Sequence, residues 1–168
     1  SYGFLAMGAL LGMLNLILMI ARTKKNNARL KQYIQEISYI IELTLMAGLL
    51  MLTIGCFIGG VWANESWGRY WGWDPKETWA LVSILVYSAI LHLRNVPKLN
   101  NQFVLSSLAL VGFSSIIMTF FGVNYYLSGM HSYGNGTPPP IPSVLYFIVI
   151  GLIVLIYWAY RKEKRKLT

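Results

Sequence analysis

The chain has 168 residues, of which 56% are hydrophobic and only 12% are charged. This composition is too apolar for an ordinary soluble domain, and the length allows several bilayer spans but no separate soluble domain. The net charge of +8 would suit nucleic acid, but the basic residues form short runs beside apolar segments, so we predict no nucleic-acid partner and a lipid bilayer as the surrounding medium.

Five apolar segments follow one another, and each is long enough, or nearly so, to cross about 30 Å of hydrocarbon as a helix. They are residues 2–21, 37–61, 78–93, 103–121 and 144–160. The third looks short, but Asp74 as N-cap and Pro75 in the first turn would start its helix earlier. We therefore predict an all-α, polytopic membrane protein with about five transmembrane helices.

Lysine and arginine are distributed unevenly between the connecting segments. Of the 14 basic residues, all except Arg69 and Lys76 follow the first, third or fifth apolar segment. Because positive charge favours the cytoplasmic side, we predict an outer N-terminus, an inner C-terminus and two outer loops, 62–76 and 122–143.

The single cysteine, Cys56, lies inside an apolar segment. The sequence therefore contains no disulfide framework and no CxxCH heme-attachment motif of its own. Ser1 leads directly into an apolar segment without the basic region of a signal peptide, and we expect the chain to be the C-terminal portion of a longer protein.

The first outer loop is unusually rich in tryptophan, since five of the six tryptophans lie between Trp62 and Trp79. One or two such residues per membrane face are ordinary anchors. This density, with glycines between the rings, instead predicts a shelf on which a large planar apolar ligand stacks, with Arg69 and Lys76 as cationic partners for its carboxylates. The predicted ligand-binding residues are Trp67, Arg69, Tyr70, Trp71, Trp73, Asp74 and Trp79. Asp74 has a second interpretation, as the cap of the helix that follows.

The chain has two histidines. His131, in the second outer loop, is predicted to be an axial ligand of heme iron beside the tryptophans. His92 lies near the inner end of the third helix, about 25 Å from the outer loop, so one iron cannot bind both histidines. His92 either snorkels to the interface or ligates a second heme. Glu42, in the second segment, either packs helices or orients His92 or a heme carboxylate.

The segment from Trp67 to Trp79 resembles the WWD signature of the heme-handling cytochrome c assembly proteins. Its Asp-Pro-Lys-Glu core is similar to the system II cytochrome c synthase subunit, of CcsA or ResC type or fused CcsBA type. Residues 122–134 are similar to that family's second outer motif, and residues 91–94 to the end of its following helix. The resemblance covers nearly the whole chain and marks residues 1–168 as a cytochrome c assembly (WWD) membrane domain.

The resemblance implies that the protein handles heme b across the bacterial cytoplasmic membrane. With the WWD loop outside, it would present heme for covalent attachment to the CxxCH motif of apocytochrome c. It implies that His131 is one outer axial ligand and that His92 belongs to an intramembrane heme site, while no catalytic residue is assigned. A ResB- or CcsB-like membrane subunit or fused half would complete a holocytochrome c synthase. The alternative left open is a heme exporter or carrier that passes heme to a separate ligase.

Overall fold

The computed structural model describes residues 1–127, residue 129 and residues 139–167, with side chains as far as residue 164. This part of the chain is helical and contains no strand. Its α-helices are α1 (Tyr2–Ala21), α2 (Asn27–Trp67), α3 (Pro75–His92), α4 (Gln102–Ile117), α5 (Val123–Tyr126) and α6 (Ser143–Leu167). A 3₁₀ turn (Leu93–Asn95) follows α3, and a π-helical turn (Met118–Gly122) joins α4 to α5.

Within the described residues, four helical segments are long and apolar enough to cross a membrane: α1, α2, α6 and the continuous run Gln102–Tyr126. The fifth predicted span, α3, has 18 residues and is about 27 Å long, but its first turn is polar. It packs against both α2 and α4. The prediction of an all-α, polytopic membrane protein is confirmed.

The second helix is much longer than the apolar segment that predicted it. The segment covered residues 37–61, whereas α2 has 41 residues and is about 62 Å long. Hydropathy detects only the part of a helix that is apolar enough to lie in hydrocarbon. The helix can continue beyond that part, because its backbone hydrogen bonds are satisfied within the helix. The helix ends where Gly68 adopts a φ of 70° and its N–H bonds to the Asn64 carbonyl. Trp62 and Trp67 therefore lie on α2, and the loop predicted at residues 62–76 shortens to residues 68–74.

Glycines allow α1 to pack closely between α2 and α4. A Cβ atom on Gly12 would lie 2.7 Å from the Ser106 carbonyl oxygen, and one on Gly48 would lie 2.5 Å from Leu5 Cδ2. Such small residues let membrane helices approach one another. A polar contact accompanies them, because the fully buried Asn15 places its Nδ2 3.0 Å from a serine hydroxyl on each of α2 and α4.

The two ends of the bundle differ in chemistry. We call them the basic end, which carries Arg22 and Arg94, and the aromatic end, which carries Trp62 and Trp71. At the basic end the buried Arg22 places Nη2 3.1 Å from both carboxylate oxygens of Glu163. This ion pair ties the end of α1 to α6.

Candidate functional site

A capping box starts α3 at the aromatic end. The Lys76 backbone N–H donates to Asp74 Oδ2 at 3.1 Å, and the Asp74 N–H donates to Glu77 Oε2 at 3.2 Å. Pro75 occupies the first turn, where it needs no N–H. The N–H groups at the start of a helix have no acceptor within the helix, and these side-chain carboxylates supply one. These hydrogen bonds confirm the interpretation of Asp74 as a helix cap. The residue is only 8% exposed.

The loop before α3 is held by an additional hydrogen bond that the sequence analysis did not predict. Glu77 Oε2 also accepts the Gly72 N–H, at 2.8 Å. Between the two bonded N–H groups lies Trp73, whose φ of 56° is the only positive value among the described residues other than glycine. The loop is therefore tied to the first turn of α3.

The indole rings at the aromatic end form two pairs. Trp62 and Trp67, on the last turns of α2, have ring centroids 5.0 Å apart and an interplanar angle of 77°. Trp71 and Trp73, in the loop, lie 5.8 Å apart at 88°. Both pairs meet edge to face. Trp71 is 36% and Trp73 72% exposed, which leaves ring surface accessible to a ligand.

A cavity of about 270 Å³ lies between α2, the loop and the start of α3. Tyr70 and Trp71 line it from the loop, and Lys76 lines it from α3. On the α2 side, Gly59 and Gly60 line the cavity and carry no side chains that would fill it. The lining thus combines flat aromatic surface with a cation, as the sequence analysis expected for a planar ligand that carries carboxylates.

The other predicted ligand-binding residues lie near this cavity but do not line it. Trp67 and Trp73 belong to the two ring pairs. The Arg69 guanidinium covers Gly72, where an added Cβ would lie 2.9 Å from Arg69 Cζ. Trp79 lies on α3, and its carbonyl accepts a hydrogen bond at 3.2 Å from a threonine of the π-helical turn. These positions suit support of the loop more directly than contact with a ligand in the cavity.

The segment that follows the π-helical turn returns to the start of α3. Lys76 Nζ donates to Asn124 Oδ1, on α5, at 3.4 Å. Gly129 packs so closely that an added Cβ would lie 2.8 Å from Pro75 Cδ and closer still to the Asp74 carboxylate. The two predicted outer motifs therefore meet at the N-terminus of α3.

The structure describes only one of the two histidines, His92. His131 lies outside the described residues, so its role as an axial ligand stays a prediction. His92 is the exposed last residue of α3, and its Nδ1 lies 2.7 Å from the Ser88 carbonyl oxygen. Because a carbonyl only accepts, the neutral ring carries its proton on Nδ1 and presents the Nε2 lone pair, as metal-binding histidines do. Leu85, Ala89 and His92 form an exposed stripe along α3.

Glu42 pairs with Arg94 and not with His92. Its Oε2 lies 2.9 Å from Arg94 Nη2, and both side chains are about three-quarters buried. Of the two roles considered for Glu42, the structure supports helix packing. A cavity of about 440 Å³ lies beside this pair at the basic end, and His92 is not among the residues that line it.

The chain matches known proteins along most of its length. The family described as Cytochrome C assembly protein matches residues 1–131. Protein NrfI of Wolinella succinogenes is 52% identical over 140 residues, which make up 83% of this chain and 15% of that protein. Cytochrome c biogenesis protein CcsA of Guillardia theta is 38% identical over 155 residues, 80% of this chain and 50% of that protein. CcsA of Coffea arabica is 44% identical over 108 residues, 63% of this chain and 33% of that protein.

These relatives are longer than the chain, which spans between 15% and 50% of their length. The family match covers more than three-quarters of the chain, since it includes residues 1–131 of 168. It contains the loop, the capping box and both histidines that the sequence analysis singled out. The chain belongs to the cytochrome c assembly protein family.

Proposed function

We propose that the protein handles heme b across the bacterial cytoplasmic membrane and presents it outside for attachment to the CxxCH motif of apocytochrome c. A ResB- or CcsB-like subunit or fused half completes the synthase. The observation that carries this proposal is the cavity at the aromatic end, with Tyr70, Trp71 and Lys76 in its lining. Curated relatives named as cytochrome c biogenesis proteins support it. In this proposal the basic end faces the cytoplasm.

The cavity suits one edge of heme better than the whole macrocycle. Its volume of about 270 Å³ is below the roughly 300–1,000 Å³ of pockets that enclose drug-sized ligands. Partial enclosure fits the proposed role, because the vinyl edge has to stay accessible to the apocytochrome. Tyr70 and Trp71 would contact the porphyrin face and Lys76 a propionate. When bound, heme supplies the vinyl carbons to which the cysteine thiols add.

At the outer site, His131 is proposed as an axial ligand of the iron. The supporting observation is Gly129, which packs against Asp74 and Pro75 beside the loop. Gly129 precedes His131 by two residues, and two residues of chain span at most about 7 Å. The protein's own contribution is thus to hold and orient its cargo, because the bond-forming groups belong to heme and to the apocytochrome.

At the basic end, His92 is proposed to bind heme before it moves outward. The Ser88 carbonyl fixes the ring tautomer that leaves Nε2 available for iron. The exposed stripe of Leu85, Ala89 and His92 is where a histidine-bearing helix of the partner subunit or fused half would dock to supply the second ligand. The small Ala89 would let that helix approach closely.

The test is the heme absorbance of the purified full-length protein, expressed with its partner subunit, together with the yield of mature cytochrome c. We expect His131→Ala and His92→Ala to lose heme from their sites and to abolish maturation, and Trp71→Ala to lower heme content. Trp158→Ala is the matched control, because this tryptophan is also exposed but lies on α6. Unchanged heme content and unchanged maturation in His131→Ala would remove the outer-site assignment. Heme binding without attachment in the presence of the partner would favour the carrier alternative.

A further inference from the structure

The turn formed by Gly72, Trp73 and Asp74 is conformationally strained. Trp73 has a φ of 56°, in the left-handed region that bulky side chains rarely adopt. Such a conformation persists only where the surrounding structure fixes it. Burial of the indole does not fix it, because Trp73 is 72% exposed. The constraint therefore comes from the backbone on either side of Trp73.

Glu77 supplies the two shortest hydrogen bonds of this constraint, and Thr78 Oγ1 donates a longer one to the Trp73 carbonyl at 3.5 Å. The same carboxylate oxygen, Oε2, accepts the Gly72 N–H at 2.8 Å and the Asp74 N–H at 3.2 Å, so its two hydrogen bonds bracket Trp73. The bond to Asp74 belongs to the capping box. The bond to Gly72 is additional and shorter. Glu77 itself lies in the first turn of α3, which ties the turn to a regular helix.

The same side chain also helps to shape the cavity. Glu77 lines it together with Tyr70 and Trp71. Trp71 in turn meets Trp73 edge to face at 5.8 Å. A change in the turn would therefore move both loop indoles and one wall of the cavity.

We propose that Glu77 is a positioning residue for the heme site: its carboxylate holds the turn so that Trp71, packed against Trp73, keeps the orientation in which it contacts the ligand. This inference rests on the proposed function. Glu77 acts through the loop and does not itself ligate iron. Its essential property is the reach of one oxygen to two N–H groups, and its negative charge is secondary.

Two conservative variants separate the effect of the side-chain length of Glu77 from the effect of its charge. Glu77→Asp keeps an acid in the first turn of the helix, where it complements the helix dipole, but the side chain is one methylene too short to reach Gly72. Glu77→Gln loses the charge but keeps the length and one carbonyl oxygen, which is sufficient because both hydrogen bonds end on one atom. Glu65→Asp is the matched control, since Glu65 is exposed near the end of α2.

The experiment titrates heme into the purified full-length protein with its partner and records near-ultraviolet circular dichroism of the heme-free samples. We expect Glu77→Asp to weaken heme binding about tenfold, as expected for one lost hydrogen bond to a charged group, and to change the tryptophan signal. Glu77→Gln should stay within about threefold of wild type, and Glu65→Asp should be unchanged.

Wild-type heme affinity in Glu77→Asp, or equal loss in Glu77→Gln and Glu77→Asp, would overturn the proposal. An equal loss of thermal stability in both variants, with an unchanged tryptophan signal, would show a purely structural cap and would also overturn it. Failure of the wild-type protein to bind heme would instead remove the proposed function. In that case the tryptophan signal of the heme-free variants would still decide whether Glu77 holds the turn.

Discussion

Replacing Asp74 tests whether this residue acts as a helix cap or through its charge. Asp74→Ala removes the acceptor of the Lys76 N–H and the carboxylate against which Gly129 packs. Losing an N-cap costs about 0.5–2 kcal/mol, and we expect about 1.5–2 kcal/mol here because the site is too buried for water to replace the bond fully. Asp74→Asn keeps an equally good cap and should lose less stability, about 0.5 kcal/mol for the interaction of the charge with the helix dipole.

The assay is thermal unfolding of the heme-free protein in one detergent, followed by heme titration. At about 2–4 °C per kcal/mol for a chain of this size, Tm should fall by roughly 3–8 °C in Asp74→Ala and by about 1–2 °C in Asp74→Asn. Asn101→Ala is the matched control, because Asn101 caps α4 at the basic end by accepting the Val104 N–H at 2.8 Å. It should lose less stability than Asp74→Ala, because Asn101 is exposed and water can replace its bond, while outer-site heme affinity stays unchanged.

Two results would contradict this reasoning. If Asp74→Asn lost as much stability as Asp74→Ala, the hydrogen bond to Lys76 would not be the important interaction. If Asp74→Asn kept its stability but lost heme, the carboxylate charge would act on the ligand itself, against the capping interpretation.

Two further predictions concern the bundle. Gly48→Leu should prevent stable folding, because its Cβ alone would lie 2.5 Å from a leucine of α1. Gly55→Leu should be tolerated, because nothing lies within 4 Å of a Cβ atom at that position. Protein yield and elution volume in detergent measure the difference, and equal yields of the two variants would contradict the prediction. Glu42→Arg and Arg94→Glu should each lower stability by about 1–3 kcal/mol, and the double exchange should recover at least half of the loss in Tm if the 2.9 Å ion pair is responsible.

The sequence predicted the helices best where a local signal marks their ends. Asp74 and Pro75 indicated the start of α3, because capping chemistry lies within a few consecutive residues. The ends of α2 were wrong, because hydropathy detects the hydrocarbon region while the helix continues beyond it until Gly68. The π-helical turn at Met118–Gly122 was not predicted, since apolar periodicity does not distinguish one wider turn inside a helix.

For the site, the sequence indicated the region but not the contacts. The density of tryptophan marked the loop, yet it did not show which rings face the cavity, because this depends on the backbone turn at Trp73. The hydrogen bond from the Gly72 N–H to Glu77 becomes visible only once the loop is folded. The partner of Glu42 was likewise hidden, because Arg94 is distant in sequence.

The continuity of α2 has a mechanical consequence. One helix of 41 residues carries Glu42, which is paired at the basic end, and Gly59 and Gly60, which line the cavity at the other end. If a straight helix of this length tilts by about 5° around one end, its other end moves by about 5 Å. A tilt of α2 at the basic end would therefore also change the width of the cavity at the aromatic end.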